Sequence, residues 1–248
     1  MIRVLINGCN GKMGQEVAKA IKSTQDIEVL CGIDRMDTGD NQFPVYTNIN
    51  EVINMPDVII DFSIPSATFN ILEFAKTNKI PTVIATTGFS NEELDRITAY
   101  SNYFPIFKSA NMSYEINVMA KIVSDLALKL KESDIEIVEV HHNKKIDSPS
   151  GTALLLADNI NSALNNEMNY EYNRHSKREK RSKNEIGIHS IRGGTEVGKH
   201  SVIFYGNNES FEITHTVNSR AVFANGAIKA AEFIFNKENG LYSMNDMV

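Results

Sequence analysis

Gly8-Cys-Asn-Gly11-Lys-Met-Gly14 lies between an apolar run, Ile2–Asn7, and a segment of helical spacing over residues 12–22. No other feature limits so strongly what this chain can fold into. A strand that passes through spaced glycines straight into a helix gathers backbone amides and the positive end of a helix dipole at one point. Glycine lets the backbone there approach a pyrophosphate closely. The spacing is G-x-x-G-x-x-G rather than G-x-G-x-x-G, so the pattern takes its weight from its position. It opens a stretch in which short apolar segments alternate with helical ones. Ile27–Ile33, Val58–Asp61, 81–85 and Pro105–Lys108 read as further strands, and 66–78 and 91–101 as further helices. Ser90 followed by Glu93 supplies a capping box for the last of these. Such βαβ alternation predicts an α/β fold, a Rossmann-like parallel sheet with helices on both faces.

Asp34 follows Gly14 by ~20 residues, at the end of the second strand, where a carboxylate takes the ribose hydroxyls of NAD(H). Arg35 beside it suits the 2′-phosphate of NADP(H). The pair therefore predicts a site that accepts either cofactor. The plainer reading is a tight turn with a surface ion pair, and the strand–turn–helix context weighs against it. Asp61-Phe62-Ser63 and Ala85-Thr86-Thr87-Gly88 stand at the carboxyl ends of predicted strands, the edge along which open α/β sheets bind ligands.

The pattern changes after Ser109. Ile116, Met119, Val123, Leu126 and Leu130 recur at helical spacing. Residues 135–140 alternate and read as a strand, followed by His141-His142-Asn-Lys144-Lys145-Ile-Asp147-Ser-Pro-Ser150-Gly151-Thr152 and a helix from about Gly151 to Leu164. Alternation places Glu139 and His141 on one face of the strand and Val140 and His142 on the other, so the two histidines have different tasks. Pro149 interrupts the ladder, and Ser150 or Thr152 caps the new helix. Lysines beside helix-end amides suit an anion, a small dicarboxylate or a phosphate, and a phosphate ester is the less attractive because the glycine turn already accounts for a pyrophosphate. Taken singly, these are a strand end, solvated lysines and a helix cap; their clustering favours a site. A metal site is disfavoured, because no third ligand group is evident and the lysines repel cations. Strands at 186–191, 199–205 and Ser210–Val217 complete an α+β half, and a final amphipathic helix near 225–235 must bury its apolar face, most simply by returning to the first half. The basic run 174–183 reads as a solvated loop.

A net charge of −6 argues against a general nucleic-acid binder, and no run of apolar residues is long enough for a membrane span. The first residues lack the pattern of a signal peptide, so a cytoplasmic location is expected. The two cysteines, Cys9 and Cys31, read as buried, reduced thiols.

The run Glu139-Val-His-His-Asn-Lys-Lys-Ile-Asp-Ser-Pro-Ser-Gly-Thr-Ala153 closely resembles the signature of the dihydrodipicolinate reductases of lysine and diaminopimelate synthesis. The resemblance extends to the Gly8–Gly14 turn, Asp61-Phe-Ser, Thr86-Thr-Gly-Phe89, Ser109-Ala-Asn, the Arg192 to His200 segment, and Ser219-Arg through Gly226. It implies a nucleotide-binding domain from both chain ends, 1–112 and 219–248. It implies a central domain, 113–218, for substrate binding and assembly into a homotetramer. It implies His141 as the acid/base residue with Lys145 as its cationic partner, and His142, Lys145, Gly151 and Thr152 as substrate contacts. Gly8, Cys9, Asn10, Gly11, Lys12, Met13, Asp34, Arg35, Phe62, Ala85, Thr86, Thr87, Ser109, Ala110, Asn111 and Met112 would line NADH or NADPH. The implied reaction is reduction of a cyclic imine dicarboxylate, with domain closure bringing the two sites together. The chain departs from the family pattern at Ala85, where glycine is usual, at Ser148, where alanine is usual, and at Met112, Tyr114 and Glu115. Two alternatives stay open on the residues alone: another nicotinamide dehydrogenase of the same architecture, and a non-catalytic NAD(P) sensor.

Overall fold

The computed structural model describes residues 1–248, which divide into two compact units, Met1–Tyr114 with Arg220–Val248, and Glu115–Ser219. In the first unit the strands β1 (Ile2–Asn7), β2 (Ile27–Ile33), β3 (Val45–Tyr46), β4 (Val58–Asp61), β5 (Thr82–Ile84) and β6 (Pro105–Lys108) form a parallel sheet. A strand from the far end of the chain, β12 (Gly240–Tyr242), joins it. The order is β12-β6-β5-β4-β1-β2-β3. The chain runs outward from β1 to β3 and then returns to lay β4 against the other side of β1. The crevice at the carboxyl ends of β1 and β4 is therefore the topological switch point.

Strand parity explains why both faces of this sheet are covered. Val4, Ile6, Val58, Ile60, Val83 and Phe107 bury one face together with Val17 and Ile21 of α1 (Lys12–Ile21) and Ala227, Ala231 and Ile234 of α6 (Ala221–Ile234). Leu5, Ile59, Ile84 and Ile106, each one residue out of step, bury the other face. There they meet Ile71 and Leu72 of α2 (Pro65–Asn78) and Ile97 of α3 (Asn91–Tyr100). A strand buried on both sides reads as a continuous apolar run, as these do. Pro65 opens α2, where its missing N–H costs nothing, and the Ser90–Glu93 capping box opens α3.

The second unit holds a five-stranded mixed sheet of order β11-β10-β7-β9-β8. Its strands are β7 (Asp134–His141), β8 (Asn169–Glu171), β9 (Glu185–Arg192), β10 (Gly198–Tyr205) and β11 (Ser210–Val217). β10 is antiparallel to both neighbours, and β7, β8 and β9 run parallel. Helices α4 (Tyr114–Lys129) and α5 (Gly151–Ala163) cover one face, packing Ile116, Val123, Leu156 and Ile160 on Ile135, Ile137, Ile188 and Phe204. The opposite face carries exposed Ile191 and Tyr205 and half-buried Val138 and Val140.

The short strands β3, β8 and β12 were not anticipated from the sequence. Each has at most three residues, too few to show a period, and each lies at a sheet edge, where its partner rather than its own pattern defines it. The basic run is a largely exposed loop, as expected, tied down at some of its side chains. Arg181 is bound to Asp134, Glu136 and the carbonyls of Ile135 and Glu185, while Arg174 pairs with Glu185 and Lys177 with Glu171. No helix is long and apolar enough to cross a membrane. Cys9 and Cys31 are buried free thiols, and burial pushes them up to about 12 and about 11 respectively.

Candidate active site

At the switch point, β1 ends in Asn7-Gly8. Gly8 has φ of +79°, and a Cβ there would stand 2.7 Å from the carbonyl oxygen of Phe62. At Gly14 a Cβ would fall 2.2 Å from the Gly8 carbonyl oxygen. Only glycines allow the turn to lie this close to its neighbours. α1 then begins at Gly11 with no side chain capping its amides, which leaves the helix start open to an anion. Asp34 follows β2. Its Oδ2 accepts from Asn10 N at 2.8 Å and its Oδ1 from Arg35 N at 2.8 Å, which fixes the carboxylate at the rim. Gly8, Asn10, Gly11, Asp34, Arg35 and Phe62 line one cavity of ≈1260 Å³, which continues past Ile49 and Met55 to Phe74 of α2. The uncapped helix start, the glycine cradle and the anchored carboxylate together fit a nicotinamide dinucleotide.

Not every residue expected at the cofactor lines that cavity. Cys9 is buried beneath it, and Lys12 and Met13 form the first turn of α1. Ala85, Thr86 and Thr87 follow β5, and Ser109, Ala110, Asn111 and Met112 follow β6, at the same carboxyl edge of the sheet but outside the cavity wall. Thr86 has a supporting task. Its hydroxyl donates to Asp61 Oδ2 at 3.0 Å and accepts from Ser63 N at 3.0 Å. Asp61 is fully buried at the end of β4 and also accepts from Asn7 Nδ2, Ser63 Oγ and Thr68 Oγ1. Burial pushes its carboxyl up, against the pull of these hydrogen bonds. This buried acid ties the ends of β1, β4 and β5 together under the cavity.

In the second unit, alternation along β7 puts Glu139 and His141 on the helix-covered side, both buried. His141 Nδ1 lies 2.5 Å from Glu139 Oε2. Arg192 at the end of β9 grips both carboxylate oxygens, Nη1 to Oε2 at 2.8 Å and Nη2 to Oε1 at 2.7 Å. The amide of Ser150 donates to Glu139 Oε1 at 3.1 Å. Burial alone would raise this carboxyl. Hydrogen bonds from Arg192, Ser190 and His141 outweigh it and bring Glu139 down to about 2, so Glu139 is an anion that only accepts.

Ser150 caps α5, its Oγ accepting from Ala153 N at 3.1 Å, and the same Oγ lies 2.9 Å from His200 Nε2. His200, buried on β10, meets His141 edge-on with ring centroids 5.1 Å apart. Burial first, and then the neighbouring His141, push His200 down to about 3, so it is neutral. β7 ends at His141. His142 follows the strand, and its amide donates to Glu196 O at 2.7 Å. Gly151 and Thr152 form the first turn of α5. Lys145 Nζ lies 2.8 Å from Asp147 Oδ1, and the charged group hydrogen-bonded to the His141 ring is Glu139.

Glu139, Arg192, Ser150 and His200 were not singled out as site residues from the sequence. Parity along β7 pairs Glu139 with His141, and this was legible. Arg192 and His200 come from other strands, and only the sheet register brings them in.

Residues 2–112 match the family model described as dihydrodipicolinate reductase, N-terminus, and residues 115–248 the one described as dihydrodipicolinate reductase, C-terminus. A 4-hydroxy-tetrahydrodipicolinate reductase of Caldanaerobacter subterraneus subsp. tengcongensis is 52% identical, over 100% of this chain and 98% of the relative. One of Clostridium tetani is 49% identical, over 100% of this chain and 97% of the relative. Among solved structures, a dipicolinate-bound dihydrodipicolinate reductase of Paenisporosarcina sp. TG-14 superposes with a TM-score of 0.83 at 28% identity, with 100% of both chains covered.

Proposed function

This chain belongs to the dihydrodipicolinate reductase family, and on that premise we propose that it uses NAD(P)H to reduce a cyclic imine dicarboxylate, 4-hydroxy-tetrahydrodipicolinate or its dehydrated form, to tetrahydrodipicolinate in lysine and diaminopimelate synthesis. The observation that carries the residue assignment is the cluster in which the His141 ring and the Ser150 amide that caps α5 share one carboxylate, Glu139. It joins a titratable ring to an anion-favouring helix start, the two groups that reduction of a dianionic imine requires.

When bound, the reduced nicotinamide supplies a hydride to the conjugated ring. The electron pair released by that addition moves through the ring to the nitrogen and adjoining carbon, giving an enamine-like anion. His141 delivers the proton that completes the two-electron reduction, from Nε2, since Nδ1 faces Glu139. Histidine suits this task because its ordinary pKa lies near neutrality. Lys145, His142, Gly151 and Thr152 hold the carboxylates and offset the charge that develops on the ring. Asp34 binds the ribose hydroxyls of NADH and Arg35 the 2′-phosphate of NADPH, so the enzyme uses both. The second unit assembles as a homotetramer through its uncovered sheet face, where Ile191 and Tyr205 are exposed. The unbridged thiols accord with a cytoplasmic location.

The assignment is tested with two variants and one inhibitor. His141→Gln lowers kcat by ~100-fold or more with little change in unfolding, and Lys145→Ala raises KM as well as lowering kcat. Pyridine-2,6-dicarboxylate competes with the substrate. Near-normal kinetics in both variants, or no competition, contradicts the assignment.

A further inference from the structure

Glu139 has no place in the chemistry above, yet it is one of the most thoroughly held side chains in the second unit. It is fully buried, and each of its oxygens has more than one donor. We infer that Glu139 is a positioning residue for proton delivery: clamped by Arg192, it holds the proton of His141 on Nδ1, turns Nε2 outward as the delivering atom, and fixes that atom relative to the first turn of α5. The inference rests on the reading of His141 as proton donor and deepens it.

Tautomer, orientation and spacing each follow from the geometry. An ionised carboxylate has no hydrogen to give, so at 2.5 Å the ring nitrogen is the donor and Nδ1 carries hydrogen in both the neutral and the cationic ring. The proton that leaves is then the one on Nε2. The ring cannot easily rotate to exchange its nitrogens. Glu139 holds one edge, the His200 ring packs on it at 5.1 Å, and Gly198 stands against Nε2. Arg192 keeps Glu139 itself from moving, through parallel bonds to both oxygens, and is anchored in turn on the carbonyls of Ile191 and Asp147. Finally, Glu139 Oε2 meets the ring and Oε1 meets the Ser150 amide at the start of α5. One rigid group therefore sets the distance between the proton donor and the turn that receives a substrate carboxylate.

The test has a spectroscopic and a kinetic arm. Long-range ¹H–¹⁵N spectra of histidine-labelled protein, with the His141 signals assigned by their loss in His141→Gln, show the neutral ring protonated on Nδ1. A ring protonated on Nε2 overturns the inference. In Glu139→Gln, kcat falls by ~100-fold while KM changes less than about threefold, and the solvent deuterium isotope effect on kcat rises as proton delivery becomes limiting. A kcat within about threefold of the parent, or a fall with no change in the solvent isotope effect, overturns it too. Should Glu139→Gln not fold, the tautomer in the unaltered protein decides alone. His141→Gln separates the two levels. If it is slow while Glu139→Gln is fast, only the positioning role fails. If it is itself near-normal, the reading of His141 fails and the inference with it.

Discussion

A Cβ added to Gly198 would stand 3.1 Å from Nε2 of His141. The glycine begins β10, one residue beyond the Lys199–Val140 pair of the ladder, and its missing side chain leaves room in front of the delivering nitrogen. His141 cannot yield, because Glu139 holds its other edge. Gly198→Ala is therefore expected to lower kcat by roughly tenfold to a hundredfold, with little change in thermal stability. Steady-state kinetics with a melting curve checks this. An unchanged kcat places the productive side of the ring elsewhere.

The proposed division of the cofactor between Asp34 and Arg35 is testable one side chain at a time. Removing the carboxylate in Asp34→Ala loses charge-assisted bonds to the ribose, so the Kd for NADH rises by about tenfold or more, and that for NADPH rises less. Arg35→Ala has the opposite ranking. Fluorescence titration of each nucleotide against each variant reads both. Equal effects on the two nucleotides contradict the assignment of the 2′ position to this pair.

Asp61 is a structural acid beneath the cofactor cavity. Asp61→Ala leaves Asn7, Ser63, Thr68 and Thr86 without their buried acceptor. The expected cost is roughly 3 kcal/mol in urea unfolding, and nucleotide affinity falls with it, because the ends of β1, β4 and β5 are no longer tied. A variant as stable as the parent removes Asp61 from this role.

His200 gives the second unit a pH dependence whose sign follows from its environment. Buried beside His141, Glu139, His215 and Lys145, it is pushed down to about 3 in the folded chain, against an ordinary value of 6.5. Between these values the unfolded chain binds the proton and the folded chain does not. The contribution of His200 is therefore complete above pH 6.5 and is lost progressively as pH falls toward 3. Urea midpoints at neutral and mildly acidic pH show the parent weakening on acidification and His200→Gln weakening less. Equal weakening of parent and variant contradicts it.

Much of this was legible in the sequence, and the parts that were not share a cause. The Gly8–Gly14 turn, Asp34 and the β7 alternation are local patterns, because a strand fixes which neighbours share a face and a turn fixes where glycine is needed. The return of β12 to the first sheet was not legible, since Gly240–Tyr242 has no period of its own and is a strand only through β6. Arg192 and His200 bound a segment that resembles the family's, but nothing near them in the chain marks what they touch. Their roles arise from register, which pairs His141 with Arg192 and Glu139 with His200 across neighbouring strands. The resemblance implies Lys145 as the partner of His141. It does not mark Glu139, which bonds the ring because residues two apart on a strand point the same way.

Reduction of a cyclic imine dicarboxylate with NAD(P)H by this chain is measured in a coupled assay. Pyruvate, aspartate semialdehyde and a dihydrodipicolinate synthase generate the unstable substrate in place, and nicotinamide absorbance is followed with NADH and with NADPH. The expected result is rapid oxidation of both nucleotides that depends on the synthase and falls by ~100-fold in His141→Gln. Binding of nucleotide without its oxidation, or oxidation that proceeds without the synthase, contradicts it.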